Sequence, residues 1–130
     1  MATMSVSYKT GDRFTASVRG HQIHVDQPES DGGEDSAPTP VELLVASLAT
    51  CVAHYARRYL KRHDLPTEGL AVDVEWDLVK GPARLGPVTL RLTVPEGVPA
   101  ERHEPLLAMA SHCTVHNTLE QAPEVSITLV

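Results

Sequence analysis

The sequence has few aromatic side chains, and this scarcity limits how its core can be built. One tryptophan, one phenylalanine and three tyrosines occur among 130 residues. Apolar residues still make up 42% of the chain and charged residues 22%, as in an ordinary globular protein. We therefore expect a core of aliphatic side chains, and the length is typical of one domain over residues 1–130.

Targeting signals and basic surfaces are also lacking. The first residues, MATMSVSYKTGDR, contain no apolar core of a signal peptide. No stretch approaches the roughly 18 apolar residues that a membrane-spanning helix needs. The formal net charge of −6 argues against binding to nucleic acid or to an anionic membrane surface. We expect a cytoplasmic protein with neither kind of partner.

Cysteine is scarce as well, with Cys51 and Cys113 lying 62 residues apart. A structural disulfide is rare in a cytoplasmic protein. Three interpretations remain for the pair: inert core thiols, a metal site or redox chemistry.

Periodicity and turn residues predict an α+β fold in the order β-β-β-α-β-β-α-α-β, with one long cysteine-bearing helix packed on antiparallel sheet. The predicted strands are 5–8, 13–18, 22–25, 70–80, 88–94 and 125–129, with helices from 40 to before Pro66, 99–111 and 114–121. Residues 81–87 are predicted to form a hairpin loop. Residues 26–39 lack apolar periodicity and form a long connection, either a functional loop or a mobile surface loop.

The long helix has a clear start signal. Thr39 can cap it, Pro40 suits its first position, and Glu42 completes a T-x-x-E capping box. An apolar stripe follows at spacings of three and four residues, made of Leu44, Leu48, Cys51, Val52, Tyr55 and Tyr59. Cys51 thus lies among apolar neighbours, where burial alone would keep it an unreactive thiol. It can act as a nucleophile only if a guanidinium lies beside it, and Arg13 and Arg19 of the first hairpin are candidates.

Both cysteines occur in a C-x-x-H pattern. His54 follows Cys51 and His116 follows Cys113, each by three residues, so each pair shares a helix face. Two such pairs could offer two sulfur and two nitrogen ligands to a zinc ion. Cys113 also precedes a predicted helix, whose N-terminal end would favour a thiolate.

Two segments resemble a known family. G-x-x-P-T-P-x-E-L-L-x-A-S-L-A-x-C, followed far downstream by H-C-x-V-H-x-T-L, is similar to the OsmC/Ohr superfamily, the osmotically inducible protein C and organic hydroperoxide resistance proteins. The resemblance covers nearly the whole chain. The short hairpin and the VHNTL segment look closest to the OsmC-like branch, and Thr114 stands where a proline is common.

The resemblance implies a function and a set of roles. The activity would be that of a thiol peroxidase reducing organic hydroperoxides to alcohols, without a cofactor. Cys51 matches the peroxidatic cysteine and Cys113 the resolving cysteine. Glu42 matches the carboxylate that orients the catalytic arginine, for which Arg13 fits the spacing better than Arg19. Family members are intertwined homodimers with shared active sites, reduced by a dithiol such as a lipoyl protein or a thioredoxin-like protein.

Several alternatives stay open at the level of sequence. Glu42 can act as a helix cap or as an arginine anchor. His54 and His116 can carry protons or face solvent, and Leu48 and Tyr55 are candidates for the substrate pocket. The rival to a peroxidase is a binding module without turnover, holding zinc through the C-x-x-H pairs or an apolar ligand in the dimer pocket.

Overall fold

The regular elements of the chain follow the predicted order as far as the last helix. The computed structural model describes residues 1–130. Its elements are β1 (Ser5–Thr10), β2 (Arg13–Val18), β3 (His21–Val25), α1 (Pro40–Arg62), β4 (Ala71–Val79), β5 (Arg84–Thr93), α2 (His103–Ala110) and α3 (Thr114–Glu120). Contacts divide the chain into two units, residues 1–45 and 46–130, which are described in turn.

The first unit begins with an antiparallel meander in the order β1-β2-β3, as predicted. β2 pairs with β3 from Phe14 opposite Val25 to Val18 opposite His21. Arg19 and Gly20 form the turn between them, with φ angles of 49° and 80°. Two consecutive residues with positive φ are typical of the tight turn whose twist matches that of paired strands.

The long connection after β3 is tied together by the buried side chain of Asp26. Its carboxylate accepts hydrogen bonds from the backbone N–H groups of Gln27 (2.8 Å) and Ser36 (3.0 Å) and from the Ser36 hydroxyl. These hydrogen bonds, with that from the Ser36 hydroxyl the strongest influence, lower the pKa of Asp26 to about 2. The Asp26 N–H also donates to the Pro38 carbonyl oxygen at 3.1 Å. The segment is therefore a closed, hydrogen-bonded loop.

The capping box predicted at the start of α1 is confirmed. The Thr39 N–H donates to Oε1 of Glu42 at 2.9 Å, and the Glu42 N–H donates to the Thr39 hydroxyl at 3.2 Å. Two of the amide groups that a helix start leaves unpaired are satisfied in this way. The sequence places the helix start correctly because both partners lie within four residues.

The second unit contains a long β4–β5 hairpin, and one predicted boundary in it is wrong. β5 begins at Arg84, so most of the predicted loop 81–87 belongs to the strand. Trp76 pairs with Val88 and Leu78 with Leu85, which leaves Asp77 opposite both Gly86 and Pro87. This is a bulge, a position where a strand tolerates proline and glycine. Gly86 and Pro87, which are typical turn residues, therefore mark an irregularity within the strand.

The core of the second unit lies between α1, α2 and the hairpin. Its buried members are Ala56, Tyr59, Leu60, Val98, Leu106 and Ala110. On α1 the buried face contains Leu48 and Tyr59 of the predicted stripe together with Val45, Ala56 and Leu60, whereas Leu44 is 40% exposed. Cys51 is only half-buried, at the edge of this face. Alanine carries little weight in a hydrophobic pattern, and this is why the sequence misplaced the centre of the face.

The helices of the second unit agree with prediction, but the last strand does not. Pro105 lies in the first turn of α2, where no helical hydrogen bond is lost. Residues 122–130 form no regular structure, so the predicted strand 125–129 is wrong for this chain. Val125, Ile127 and Leu129 are 75%, 90% and 100% exposed. The alternation is that of a strand, but this segment has no neighbouring strand with which to form a ladder.

A membrane-spanning helix is not found in the structure, since no helix is both long enough and apolar enough to cross a bilayer.

Candidate functional site

Cys51 and Cys113 are brought together although they lie 62 residues apart. Cys51 is half-buried on α1, and Cys113 is fully buried at the residue that precedes α3. Both are free thiols, and the Cys51 side chain is close enough to raise the pKa of the Cys113 thiol. A disulfide requires the two sulfur atoms of such a neighbouring pair to come within about 2.0 Å of each other.

Burial controls the acidity of Cys113. It raises the pKa of the thiol above its ordinary value, and the neighbouring Cys51 raises it further. The backbone N–H of His116 opposes this effect, since it donates to the Cys113 sulfur at 3.3 Å. The sequence correctly placed Cys113 at a helix N-terminus, but desolvation outweighs the helix end. Cys113 is thus held as a protonated thiol at neutral pH.

Tyr55 connects the two cysteine-bearing elements a second time. Its hydroxyl lies 2.7 Å from the Thr114 hydroxyl, across 59 residues of sequence. The Arg58 guanidinium lies 5.6 Å from the centre of the Tyr55 ring. The rings of His54 and Tyr55 meet in an edge-on arrangement, with their centres 5.9 Å apart. Thr114 immediately follows Cys113, so this contact fixes the chain next to the buried thiol. The sequence identified Tyr55 as a pocket candidate but not its partner.

The ring of His116 is engaged on both sides. Nδ1 lies 2.7 Å from the Ser111 carbonyl oxygen, and Nε2 lies 3.0 Å from the Glu120 carboxylate. Both ring nitrogens therefore face hydrogen-bond acceptors. This arrangement leaves neither nitrogen directed toward a metal ion.

The geometry does not favour the zinc interpretation of the C-x-x-H pairs. His54 is exposed and its ring packs against Tyr55. No group of three or more histidine, cysteine, aspartate or glutamate side chains is placed to hold a metal ion. Four-coordinate structural zinc sites need all their ligands within about 2.3 Å of one point.

An apolar cavity of about 410 Å³ lies between α1, β5, α2 and α3. Leu48 and Val52 line it from α1, and the Ser111, His116 and Glu120 side chains form its polar part. Leu48, a predicted pocket residue, and His116, a candidate proton carrier, therefore line this cavity, whereas Tyr55 and His54 do not. Neither cysteine lines the cavity, although Ser111 and His116 flank Cys113 in sequence and Val52 follows Cys51.

The remaining predicted residues belong to the first unit. Arg13 is the first residue of β2 and is half-buried, whereas Arg19 is exposed in the β2–β3 turn. Glu42 is exposed and bonded to Thr39 in the capping box. The chain contains two ion pairs, Arg91 with Glu75 and His116 with Glu120, so Arg13 and Glu42 do not form one.

The chain belongs to the OsmC-like protein family, because the model of that family matches residues 33–128. The match includes α1 with Cys51, the β4–β5 hairpin and the segment that carries Cys113. The resemblance stated from the motifs is thereby confirmed. No curated protein matches the sequence significantly.

Solved structures of similar fold confirm the α+β architecture. An OsmC-like protein from Mycoplasma pneumoniae superimposes with a TM-score of 0.80 at 18% identity, covering 94% of this chain and 89% of that one. A Psychrobacter arcticus protein provisionally assigned to osmotic stress and detoxification gives 0.83 at 22% identity, with coverages of 91% and 88%. An organic hydroperoxide resistance protein OsmC from Legionella pneumophila gives 0.68 at 22% identity, with coverages of 92% and 88%.

Proposed function

We propose that this chain is a thiol peroxidase that reduces organic hydroperoxides to alcohols in the cytoplasm. The observation that carries the proposal is the proximity of the free thiols of Cys51 and Cys113 across 62 residues of sequence. Membership of the OsmC-like family and the hydroperoxide resistance described for the Legionella relative support the same function.

Cys51 is the peroxidatic residue in this proposal, because it is the more exposed of the two thiols. Its thiolate attacks the outer oxygen of the hydroperoxide, and a sulfur–oxygen bond forms while the oxygen–oxygen bond breaks. The alkoxide leaves and takes up a proton to give the alcohol. Cys51 is thereby oxidised by two electrons to a sulfenic acid, and the peroxide is reduced.

Cys113 resolves the sulfenic acid in the second step. Its sulfur attacks the Cys51 sulfur, the disulfide forms, and hydroxide leaves and is protonated to water. Sulfenic acid is neutral, so after the first step no negative charge on Cys51 opposes formation of the Cys113 thiolate. The His116 N–H at 3.3 Å is already in place to stabilise the Cys113 thiolate. An external dithiol then supplies two electrons and two protons to reopen the disulfide.

We assign Arg13 as the arginine required beside Cys51, with Arg19 as the alternative. Glu42 is assigned to orient this arginine. A guanidinium would hold Cys51 as a thiolate and stabilise the departing alkoxide. We propose that these chains act as an intertwined homodimer, which allows the arginine to come from a second copy. The exposed strand pattern of Val125, Ile127 and Leu129 supports pairing with another chain.

The apolar cavity beside Ser111 and His116 suits the alkyl part of an organic hydroperoxide. Each buried methylene contributes roughly 0.8 kcal/mol, so binding should strengthen with chain length and hydrogen peroxide should be a poor substrate. The same cavity favours a second candidate function, an apolar-ligand binder without turnover. The fate of the thiols separates the two functions.

The test is a thiol count after reaction of the reduced protein with one equivalent of cumene hydroperoxide. The peroxidase function predicts loss of both thiols and formation of an intramolecular disulfide. Cys51→Ser should keep its remaining thiol, whereas Cys113→Ser should stop at a sulfenic acid that a 1,3-diketone traps. Persistence of both thiols in the unsubstituted protein would refute the peroxidase and leave the binder.

A further inference from the structure

We propose that the hydrogen bond between the Tyr55 and Thr114 hydroxyl groups is a positioning contact for the resolving step. It holds the start of α3 against α1 and thereby keeps Cys113 beside Cys51. Tyr55 and Thr114 are positioning residues, since they act through the cysteines and touch neither peroxide nor sulfenic acid in the proposed steps. The inference rests on the proposed peroxidase function and adds a determinant of its second step.

The position of the contact is the first argument. Tyr55 lies four residues after Cys51 on α1, and Thr114 is the residue after Cys113. The hydroxyl pair, 2.7 Å apart, therefore joins the two segments that carry the neighbouring cysteines. Residues at positions i and i+4 share a helix face, so Cys51 and Tyr55 lie on one side of α1.

The weak attachment of α3 is the second argument. This helix has seven residues, and none of them is buried. Its other side-chain hydrogen bonds are local, joining His116 to Ser111, Asn117 to His112 and Thr118 to Thr114. The Tyr55–Thr114 bond is the side-chain hydrogen bond that joins α3 to α1. Little packing would compensate for the loss of that bond, because a short helix is marginal on its own.

Tyr55 itself is well placed to act as an anchor. It is half-buried, its ring lies under the Arg58 guanidinium and its edge meets His54. A cation above an aromatic face and an edge-on ring both limit rotation of the side chain. The hydroxyl therefore presents a fixed partner to Thr114.

The chemical consequence falls on a single step. Sulfur–sulfur bond formation requires the Cys113 sulfur to approach the oxidised Cys51 while the sulfur–oxygen bond breaks and water is released. The rate of that step scales with the fraction of molecules in which Cys113 is in place. The attack of Cys51 on the hydroperoxide does not depend on this fraction. Losing the bond should thus lengthen the life of the sulfenic acid without slowing its formation.

Tyr55→Phe and Thr114→Val remove the two hydroxyl groups separately, and their combination tests whether they act together. The reduced protein is mixed with one equivalent of cumene hydroperoxide and quenched at intervals with a 1,3-diketone. Mass spectrometry then follows sulfenic acid and disulfide. Loss of one hydrogen bond of ordinary strength should slow disulfide formation about threefold to tenfold, with sulfenic acid forming at the original rate. The double variant should be no slower than the slower single variant.

Three control variants give the comparison. Thr114→Ser keeps the hydroxyl and should resolve at the original rate. Tyr59 lies on α1 like Tyr55, and Tyr59→Phe removes a hydroxyl that accepts a hydrogen bond from Arg102. Thr118→Val removes a hydroxyl that bonds within α3. Neither should change the resolving step, and unfolding in urea shows whether each variant is folded.

The possible results distinguish this inference from the proposed function. If the unsubstituted protein forms sulfenic acid and Tyr55→Phe resolves it at the original rate, the positioning role is refuted and the peroxidase function stands. The role is also refuted if Tyr55→Phe and Tyr59→Phe slow both steps equally, since that is the result of general destabilisation. If the unsubstituted protein forms no sulfenic acid and no disulfide, the proposed function fails, and the inference fails with it.

Discussion

Glu42 offers the sharpest test of the proposed site, because one carboxylate has two candidate tasks. In this chain it accepts the Thr39 N–H at 2.9 Å as part of the helix capping box. In the proposed mechanism it orients the arginine that serves Cys51. Glu42→Gln separates the tasks, since an amide oxygen can still accept the Thr39 N–H but carries no charge. Thr39→Ala is the matched variant, which removes the cap on the Glu42 N–H and keeps the carboxylate.

The two tasks differ in the free energy that each contributes, and one affects folding stability whereas the other affects turnover. Loss of a threonine cap costs about 1 kcal/mol of folding free energy, so Thr39→Ala should lower stability by this amount and keep its turnover. Glu42→Gln should lose only the favourable charge at the helix start, about 0.3–1 kcal/mol. A hydrogen bond between charged groups is worth about 1.5–3 kcal/mol, so loss of the arginine anchor should reduce kcat/KM roughly tenfold to 150-fold.

Urea unfolding and the rate of hydroperoxide reduction measure the two quantities on the same preparations. The reasoning predicts a crossed result, with stability lost mainly in Thr39→Ala and turnover lost mainly in Glu42→Gln. Turnover within about twofold of the original in Glu42→Gln would refute the anchor role and leave Glu42 as a cap. Equal losses of turnover in both variants would also refute it, since the effect would then follow the helix start and not the charge.

Three further predictions concern the surroundings of this site. The pKa of Asp26 is lowered to about 2, so its contribution to stability is present above about pH 4 and is lost as pH falls toward 2. Asp26→Asn should therefore lower the urea midpoint at pH 7 and lessen this dependence of stability on acid. Leu106→Ala removes a fully buried core side chain and should cost about 2–5 kcal/mol in urea unfolding, and a loss below 1 kcal/mol would contradict the packing described. Cys51 should react with iodoacetamide faster than Cys113, because Cys113 is buried and its pKa is raised. Equal rates at pH 7 would contradict this environment.

Local signals explain most of what the sequence predicted correctly. The capping box at Thr39 and Glu42 and the turn at Arg19 and Gly20 each depend on residues within four positions of one another. The alternation of half-buried Val72 and Val74 with exposed residues in the first half of β4 follows from strand geometry. Such features can be read without knowledge of the rest of the chain.

The errors arose where a local pattern has more than one structural meaning. Gly86 and Pro87 suggest a turn, yet they occupy a bulge because β4 continues opposite them. Residues 125–129 have the alternation of a strand, but a strand also needs a partner, and partners are not encoded in the segment itself. The proximity of Cys51 and Cys113 belongs to the same class, since no local rule joins positions 62 residues apart. Family resemblance suggested that pairing, whereas nothing in the sequence suggested the bond from Tyr55 to Thr114.

The environments of the two thiols give a physical order to the proposed chemistry. Cys51 is half-exposed, so a hydroperoxide can reach it, whereas Cys113 is fully buried and its pKa is raised by that burial. A peroxide in solution therefore meets Cys51 first. Cys113 needs no access to solvent, because its electrophile is the sulfur that already lies beside it. A buried, protonated thiol is also protected from peroxide. The pair is thus arranged so that the second oxidation step follows the first and does not compete with it.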